Sequence, residues 1–426
     1  MSKAKLGPLL RQNNHFQTTY GDILFVSIDD GLTTKELNGN GIVNQRLDVS
    51  TEQFLKSAFQ KNRQLDGSSS SRPNKTSSVP SNGIEKLTKP VDVLILNILL
   101  GGSAVICHRY GVPYYLFNPF SSTLKLKLLQ FDQQGLNAGD FKSNSVIYLN
   151  RVLEDDKQFV SKMSFAEGII INSMRELEMP TLYRIPLGAP RMATMRMVCV
   201  GPLLPTEDLD SPSSPDLLNW LNAQDTNQVT FVSLGSTSEL KAENIFEMGK
   251  ALLQLEKPFV WSLSLRHQQY LPDEVKKVMA GRKDTAKETT RKFMIVTSVS
   301  KKLVLDHTAT ALFVSNCDWT SAMQCLAAGK PLVAWPMSSS QEENARFLTG
   351  LGTCRAIDGI ENSAAVKVTA EVIARSIATV LDMTGTSFSG IRPMAQAAWL
   401  WKAKIDQTLR PGGTSHREFT RLMSRL

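Results

Sequence analysis

A chain of 426 residues, 42% hydrophobic and 21% charged, has the composition of a globular protein and is too long for one ordinary core, so two domains are expected. The net charge of +8 comes from scattered basic residues, with no long run or aromatic-interleaved stripe. That pattern argues against nucleic acid as a partner and suits a small anionic ligand. The five cysteines (Cys107, Cys199, Cys317, Cys325, Cys354) form no CxxC pair, and the five histidines form no metal-ligand cluster, so free thiols and no metal are expected. The N-terminus, Met-Ser-Lys-Ala-Lys, lacks a signal peptide's apolar stretch. The longest apolar run, Val91–Cys107, is interrupted by Asp92, Asn97 and a Gly-Gly pair. A cytoplasmic protein without a membrane span is expected.

In chain order, a strand at Asp22–Ile28 comes first, followed by an amphipathic helix at Thr51–Leu65, with Phe54, Leu55, Ala58 and Phe59 on one side. Asp66–Asn82 is rich in Ser, Pro and Asn and reads as a surface loop. Further strands are expected at Val91–Ile98, Val112–Phe117 and Gly168–Asn172. Thr206–Asp216 is acidic, carries two prolines and fits a linker, which places the domain boundary near residue 205. Beyond it, apolar runs recur at Val229–Leu234, Phe259–Leu263, Phe293–Thr297, Ala311–Ser315 and Pro331–Trp335. Continuous apolar strands between helical stretches imply parallel, doubly wound sheets. Ile391–Leu409 closes the series as a helix with Met394, Ala397, Ala398 and Trp401 on one face.

The densest functional signal runs from Ser298 to Gln341: SVSKKLVLDHTATALFVSNCDWTSAMQCLAAGKPLVAWPMSSSQ. It reads as a helix at Lys301–Asp306, a strand, a helix at Thr320–Ala328 stopped by Gly329, another strand and a polar loop. The helix start after Asn316-Cys317-Asp318-Trp319 offers unpaired backbone N–H groups beside the Thr320 and Ser321 hydroxyls, a cradle for phosphate. Leu305, His307, Phe313, Cys317, Trp319, Ser321, Gly329, Pro331, Pro336 and Gln341 fall without a gap on the signature box of plant family 1 UDP-glycosyltransferases, and the stretch resembles that box in its 44-residue length as well. Phe165–Glu178, Gly201–Pro205, Val229–Ser236, Gln341–Ala345 and Pro411–Ser415 resemble the same family, so the likeness covers roughly residues 22 to 426. It implies the GT-B fold, two Rossmann-like doubly wound domains facing across a cleft. Residues 1–205 would form the acceptor side and 206–390 the UDP-sugar side, with 391–426 packing back on the first domain.

The resemblance also implies roles. Gly235 and Ser236 would face the donor phosphates, and Ser298, Val299 and Lys301, at the opening of the box, would also bind the donor, with Lys301 in place of the family's Gln. Ser298 replaces the Trp that stacks on uracil, and an aromatic–base stack is worth about 1–3 kcal/mol. Asn316 stands in place of the His that contacts the diphosphate. Thr320 and Ser321 would donate to phosphate, Gln324 replaces the Glu that accepts ribose hydroxyls, and Trp319, Ser340 and Gln341 would meet the sugar. The catalytic Asp of the family is matched by Asn97. Its partner, the general-base His, belongs to a strand–helix–strand segment that precedes the part of the family resembled by Met1–Asp30. A start upstream of Met1, or an unstable N-terminal sheet, is therefore expected. His15 is not expected to replace that base, and His307 is expected to be a structural hydrogen-bonder.

Two functions follow as expectations. One is a hexosyltransferase moving sugar from a UDP-sugar to a hydroxyl of a small lipophilic acceptor, with the UDP-sugar as co-substrate, no cofactor and a monomeric chain. The other is a non-catalytic GT-B protein that binds a small molecule in the same cleft. The changes at Asn97, Ser298, Asn316, Gln324 and Ser340 speak for the second, and Trp319, Ser321 and Gln341 for the first.

Overall fold

The structure, a computed structural model, describes residues 93–97, 104, 107–119, 121, 165–182, 196–204, 215–235, 240–280, 292–359, 368–383 and 393–425. The expectations for Asp22–Ile28, Thr51–Leu65, Asp66–Asn82, His15, Ser236 and most of Thr206–Asp216 lie outside the described residues.

The first sheet is parallel, with β1 (Leu94–Asn97), β2 (Tyr114–Asn118), β3 (Gly168–Ile171) and β4 (Arg196–Cys199) side by side in that order. Helix α1 (Arg175–Leu182) follows β3, and α2 (Pro215–Asn222) precedes the second sheet. That sheet holds β5 (Val229–Ser233), β6 (Phe259–Ser262), β7 (Phe293–Val296), β8 (Thr310–Ser315), β9 (Leu332–Ala334) and β10 (Cys354–Ala356). Its spatial order is β10-β9-β8-β5-β6-β7, with every pairing parallel. The connecting helices are α3 (Ala242–Gln254), α4 (Leu265–Gln268), α5 (Asp273–Ala280), α6 (Lys301–Asp306), α7 (Trp319–Ala328), α8 (Ser339–Gly350) and α9 (Ala370–Met383). Helices α10 (Pro393–Leu409) and α11 (Thr414–Met423) end the chain.

The second sheet is covered on both faces, which is why its central strands are apolar throughout. Every residue of β5 and β8 is buried. Val229, Phe231 and Phe313 face one core, while Val232, Leu312 and Val314 face the other, the alternation of a pleated strand. Phe231 and Phe313 stack at 4.9 Å across the β5–β8 pair, and complete burial of each contributes about 2–3 kcal/mol. Strands β4 and β10 were not expected from sequence. Both are edge strands carrying an arginine (Arg196, Arg355), and the short, charged sequences that suit a sheet edge give little apolar signal.

The strand order fixes where a ligand goes. From β5 the chain winds outward through β6 and β7, then returns to the other side of β5 as β8 and winds outward again through β9 and β10. The direction reverses between β5 and β8, and in open α/β sheets ligands bind beyond the carboxyl ends of the strands at such a switch point.

The halves are joined by specific contacts. Trp319 at the start of α7 donates its indole Nε1–H to the Asn172 carbonyl, 2.8 Å away, just past β3. Helix α10 packs on α7, and its Thr408 hydroxyl lies 3.8 Å from Met174 Sδ. Helix α11 lies on β4, where Glu418 pairs with Arg175 at 2.5 Å and accepts the Cys199 N–H at 2.7 Å. The Ser415 hydroxyl donates to the Gly201 carbonyl at 2.6 Å.

Candidate functional site

The loops leaving β5, β7, β8 and β9 all open at the carboxyl edge of the second sheet, and they carry most of the residues implied by the resemblance. Gly235 follows β5 with φ +82°, a conformation that favours glycine. A Cβ there would lie 3.1 Å from Asn316 Nδ2, so the lack of a side chain lets the β5 loop close onto the β8 loop across the switch point. Ser236, the next residue, lies outside the described residues.

The β8 loop is tightly built. Asn316 is 3% exposed and its Oδ1 accepts from the Ser315 hydroxyl at 3.3 Å. Cys317 sits at φ +63°, unusual for a side-chain-bearing residue. It is pinned by its N–H to Ser315 Oγ at 3.2 Å and by its carbonyl, which accepts from Asn344 Nδ2 of α8 at 3.0 Å. Strain held by surrounding bonds at a strand–helix turn is common where ligands bind.

Helix α7 starts on Asp318, whose Oδ1 accepts the Ser321 N–H at 3.0 Å as an N-cap. Ser321 Oγ donates to Asp318 Oδ2 at 2.6 Å and accepts from Lys301 Nζ, which reaches over from α6, at 2.7 Å. Asp318, Ser321 and Lys301 thus form one cluster at the helix start. The resemblance assigns donor contacts to Ser321 and Lys301 separately and none to Asp318. The signal was present, since Asp three residues before Ser at a helix start is a capping pattern. Helix α6 has its own cap, the Ser300 hydroxyl accepting the Leu303 N–H at 3.2 Å. Ser298 before it is exposed, and Val299 packs against the core.

One turn into α7 lies Gln324. It is 8% exposed, and its Oε1 is buried without a hydrogen-bond partner. An unsatisfied buried acceptor costs about 1–3 kcal/mol, which a donor from a bound ligand would offset. Thr320 on the first turn is exposed. The Trp319 indole is 2% exposed, tilted against Phe347 at 6.0 Å, and spends its one donor on Asn172. Its side chain joins the halves. After β9, the Gln341 side chain accepts the Met337 N–H at 2.7 Å, and the Ser340 hydroxyl meets Ser338 Oγ at 3.1 Å. Asn97 ends β1, in register with Phe117, on the carboxyl edge of the first sheet.

Other candidates are structural. His307 Nδ1 accepts the Ala309 N–H at 3.1 Å, so its proton sits on Nε2, which donates to Asn222 at 3.1 Å. Lys330 Nζ donates to the Thr310 carbonyl at 2.7 Å, and burial holds its pKa below the usual lysine range. Burial raises the thiols of Cys107, Cys199 and Cys325, that of Cys107 to about 12, and a hydrogen bond with Cys354, followed by burial, raises that of Cys317. None of these four is a thiolate at neutral pH. Among the described residues, no group of three or more His, Cys, Asp or Glu side chains is placed to hold a metal, and no helix is long and apolar enough to cross a membrane. A cavity of about 470 Å³ opens beside α8, lined by Pro336, Glu342, Arg346, Arg355, Asp358 and Met394. None of these is a residue implied for the donor.

A parallel, doubly wound sheet with its switch point between β5 and β8, and a capped helix start and a buried acceptor beyond the end of β8, defines an α/β protein of the Rossmann-like class. The model of the UDP-glucoronosyl and UDP-glucosyl transferase family matches residues 144–381, and the chain belongs to that family. It is similar to Cis-zeatin O-glucosyltransferase 1 of Zea mays, 28% identical over 345 residues that cover 73% of this chain and 72% of that protein. UDP-glycosyltransferase 75B1 of Arabidopsis thaliana is 26% identical over 364 residues, 77% of this chain and 72% of that one. Among solved structures, Phytolacca americana UGT2 complexed with UDP-2fluoro-glucose and pterostilbene superposes with a TM-score of 0.65 at 20% identity, over 90% of this chain and 80% of that one. The fold is GT-B.

Proposed function

We propose that this chain is a UDP-sugar-dependent transferase that moves a hexose to a hydroxyl of a small lipophilic acceptor, acting as a monomer. The carrying observation is that the segments following three parallel strands, β5, β8 and β9, bring Gly235, Asn316, Ser321, Gln324 and Gln341 to the carboxyl side of a single sheet at the switch point. The relatives named for zeatin O-glucosylation, and the related structure that holds a fluorinated UDP-glucose with pterostilbene, support this class of donor and acceptor. On this reading the first turn of α7 takes the diphosphate, and Gln324 Oε1 takes a ribose hydroxyl through a neutral bond weaker than a carboxylate would make. Gly235 keeps the β5 loop close to the phosphates. Ser340 and Gln341, at the start of α8, approach the sugar. Asn97, at the end of β1, has no ionisable group, so it cannot take an acceptor's proton.

The changed positions Asn97, Ser298, Asn316, Gln324 and Ser340 keep a non-catalytic binder as the competing reading, which family membership disfavours. The test is incubation of the full chain with UDP-glucose and a panel of zeatin-like and phenolic acceptors, with products followed by mass spectrometry. Glucoside formation that is lost in Gln324→Ala is the expected result. UDP binding with no transfer to any acceptor would favour the binder instead.

A further inference from the structure

We propose that Lys301 is a diphosphate-binding cation, and that Asp318 holds its place until the nucleotide arrives, so that this site selects its ligand by the diphosphate more than by the base. The inference rests on the donor-site reading above and adds the identity of the group that recognises the phosphates. Lys301 Nζ is 2.7 Å from Ser321 Oγ, on a helix start where N–H groups and the helix dipole favour an anion. The Asp318 carboxylate occupies that position, taking the Ser321 N–H at 3.0 Å and the Ser321 hydroxyl at 2.6 Å. Its two oxygens use the donors a phosphate would use, with the lysine one atom further out. An independent sign of a ligand lies one turn along the same helix. Gln324 Oε1, three residues after Ser321 and therefore on the same face, is buried without a partner, an acceptor suited to a hydroxyl beside the phosphates.

Among the described residues at the opening of the box, none supplies a ring or a charge to a base. Ser298 is exposed and carries no ring to stack on a base. Asn316 is neutral, and its amide is packed against Gly235. Lys301 is the cation that the described residues bring to Ser321 at the α7 start, and there Asp318 competes with the ligand for the same donors. Removing that carboxylate should help binding without harming the helix, because Asn caps a helix as well as Asp does.

The test is calorimetric titration of the full chain with UDP, CDP, ADP and inorganic pyrophosphate. The four ligands are expected to bind within about fivefold of one another, since no stacking contribution separates the bases. Lys301→Gln should weaken UDP and pyrophosphate alike by roughly tenfold, and Lys301→Arg should restore both. Asp318→Asn should tighten both by about tenfold, with thermal unfolding unchanged. UDP affinity unchanged in Lys301→Gln, or UDP preferred over CDP and ADP by far more than tenfold, would overturn the proposal while leaving the donor site in place. No binding of UDP or pyrophosphate by either the parent or Asp318→Asn would overturn the donor-site reading and this proposal with it.

Discussion

The first turn of α7 and the seam where α11 meets β4 use the same chemistry for different ends. At the seam, Glu418 pairs with Arg175 and accepts the Cys199 N–H, a closed set that ties the last helix to the first sheet. At α7, Asp318 likewise accepts an N–H and neighbours a cation, Lys301, through Ser321. The difference is position. Glu418 joins two elements far apart in sequence, so replacing it would separate them. Asp318 caps its own helix at the carboxyl edge of the sheet, where an incoming anion can take over its donors at little structural cost. A charged cluster is a candidate for ligand exchange when the fold does not depend on it, and the two clusters can be separated on that criterion.

The largest expected effect is at the seam. Glu418→Ala removes a largely buried acceptor and leaves the Cys199 N–H unpaired, so stability in urea denaturation should fall by about 2–3 kcal/mol. The UDP affinity of the folded protein should stay as it was; a loss of affinity would break the contrast between the two clusters. Trp319→Phe should cost about 2 kcal/mol, because the Asn172 carbonyl loses its indole donor. If Trp319 instead lined the donor sugar, transfer would fall while stability held. Gln324→Glu should tighten UDP by roughly tenfold through charge-assisted bonds to ribose, measured by calorimetry, and an unchanged affinity would remove Gln324 from the site.

The smallest effect is a pH dependence. Burial, followed by the nearby Lys330 charge, holds the His307 pKa below its usual value of 6.5. The folded state therefore binds fewer protons than the unfolded chain as pH falls through that range. Stability should be constant above about pH 7 and decline as the pH drops below 6.5, and His307→Gln should flatten that slope. A slope unchanged in His307→Gln would assign it to other groups, such as His267, whose pKa burial also lowers.

The apolar runs of the second sheet were legible because both faces are covered. Phe231, Val232, Phe313 and Val314 have no polar side to confuse the pattern. The order of the strands was not legible, since pairing β5 with β8 is a contact between segments far apart in the chain. The order of residues in the box placed Ser321, Gln324 and Gln341, yet it could not show what their side chains touch. Trp319 illustrates the limit, because the partner that decides its role is the carbonyl of Asn172 in the other half. Lys301 is a second case: only the packing of α6 against α7 brings its ammonium to Ser321. Asn344, which holds the Cys317 turn, was visible within the Gln341–Ala345 run as a family likeness, but its role depends on the folded turn.

On the proposed function, the segments after β5, β7, β8 and β9 form the nucleotide site. Hydrogen–deuterium exchange of the full chain, with and without saturating UDP, tests it most directly. Protection should concentrate in residues 298–303 and 316–326, where the openings of α6 and α7 converge on Ser321. Protection around Arg346 and Arg355, beside the cavity at α8, with none at the α7 start, would contradict it.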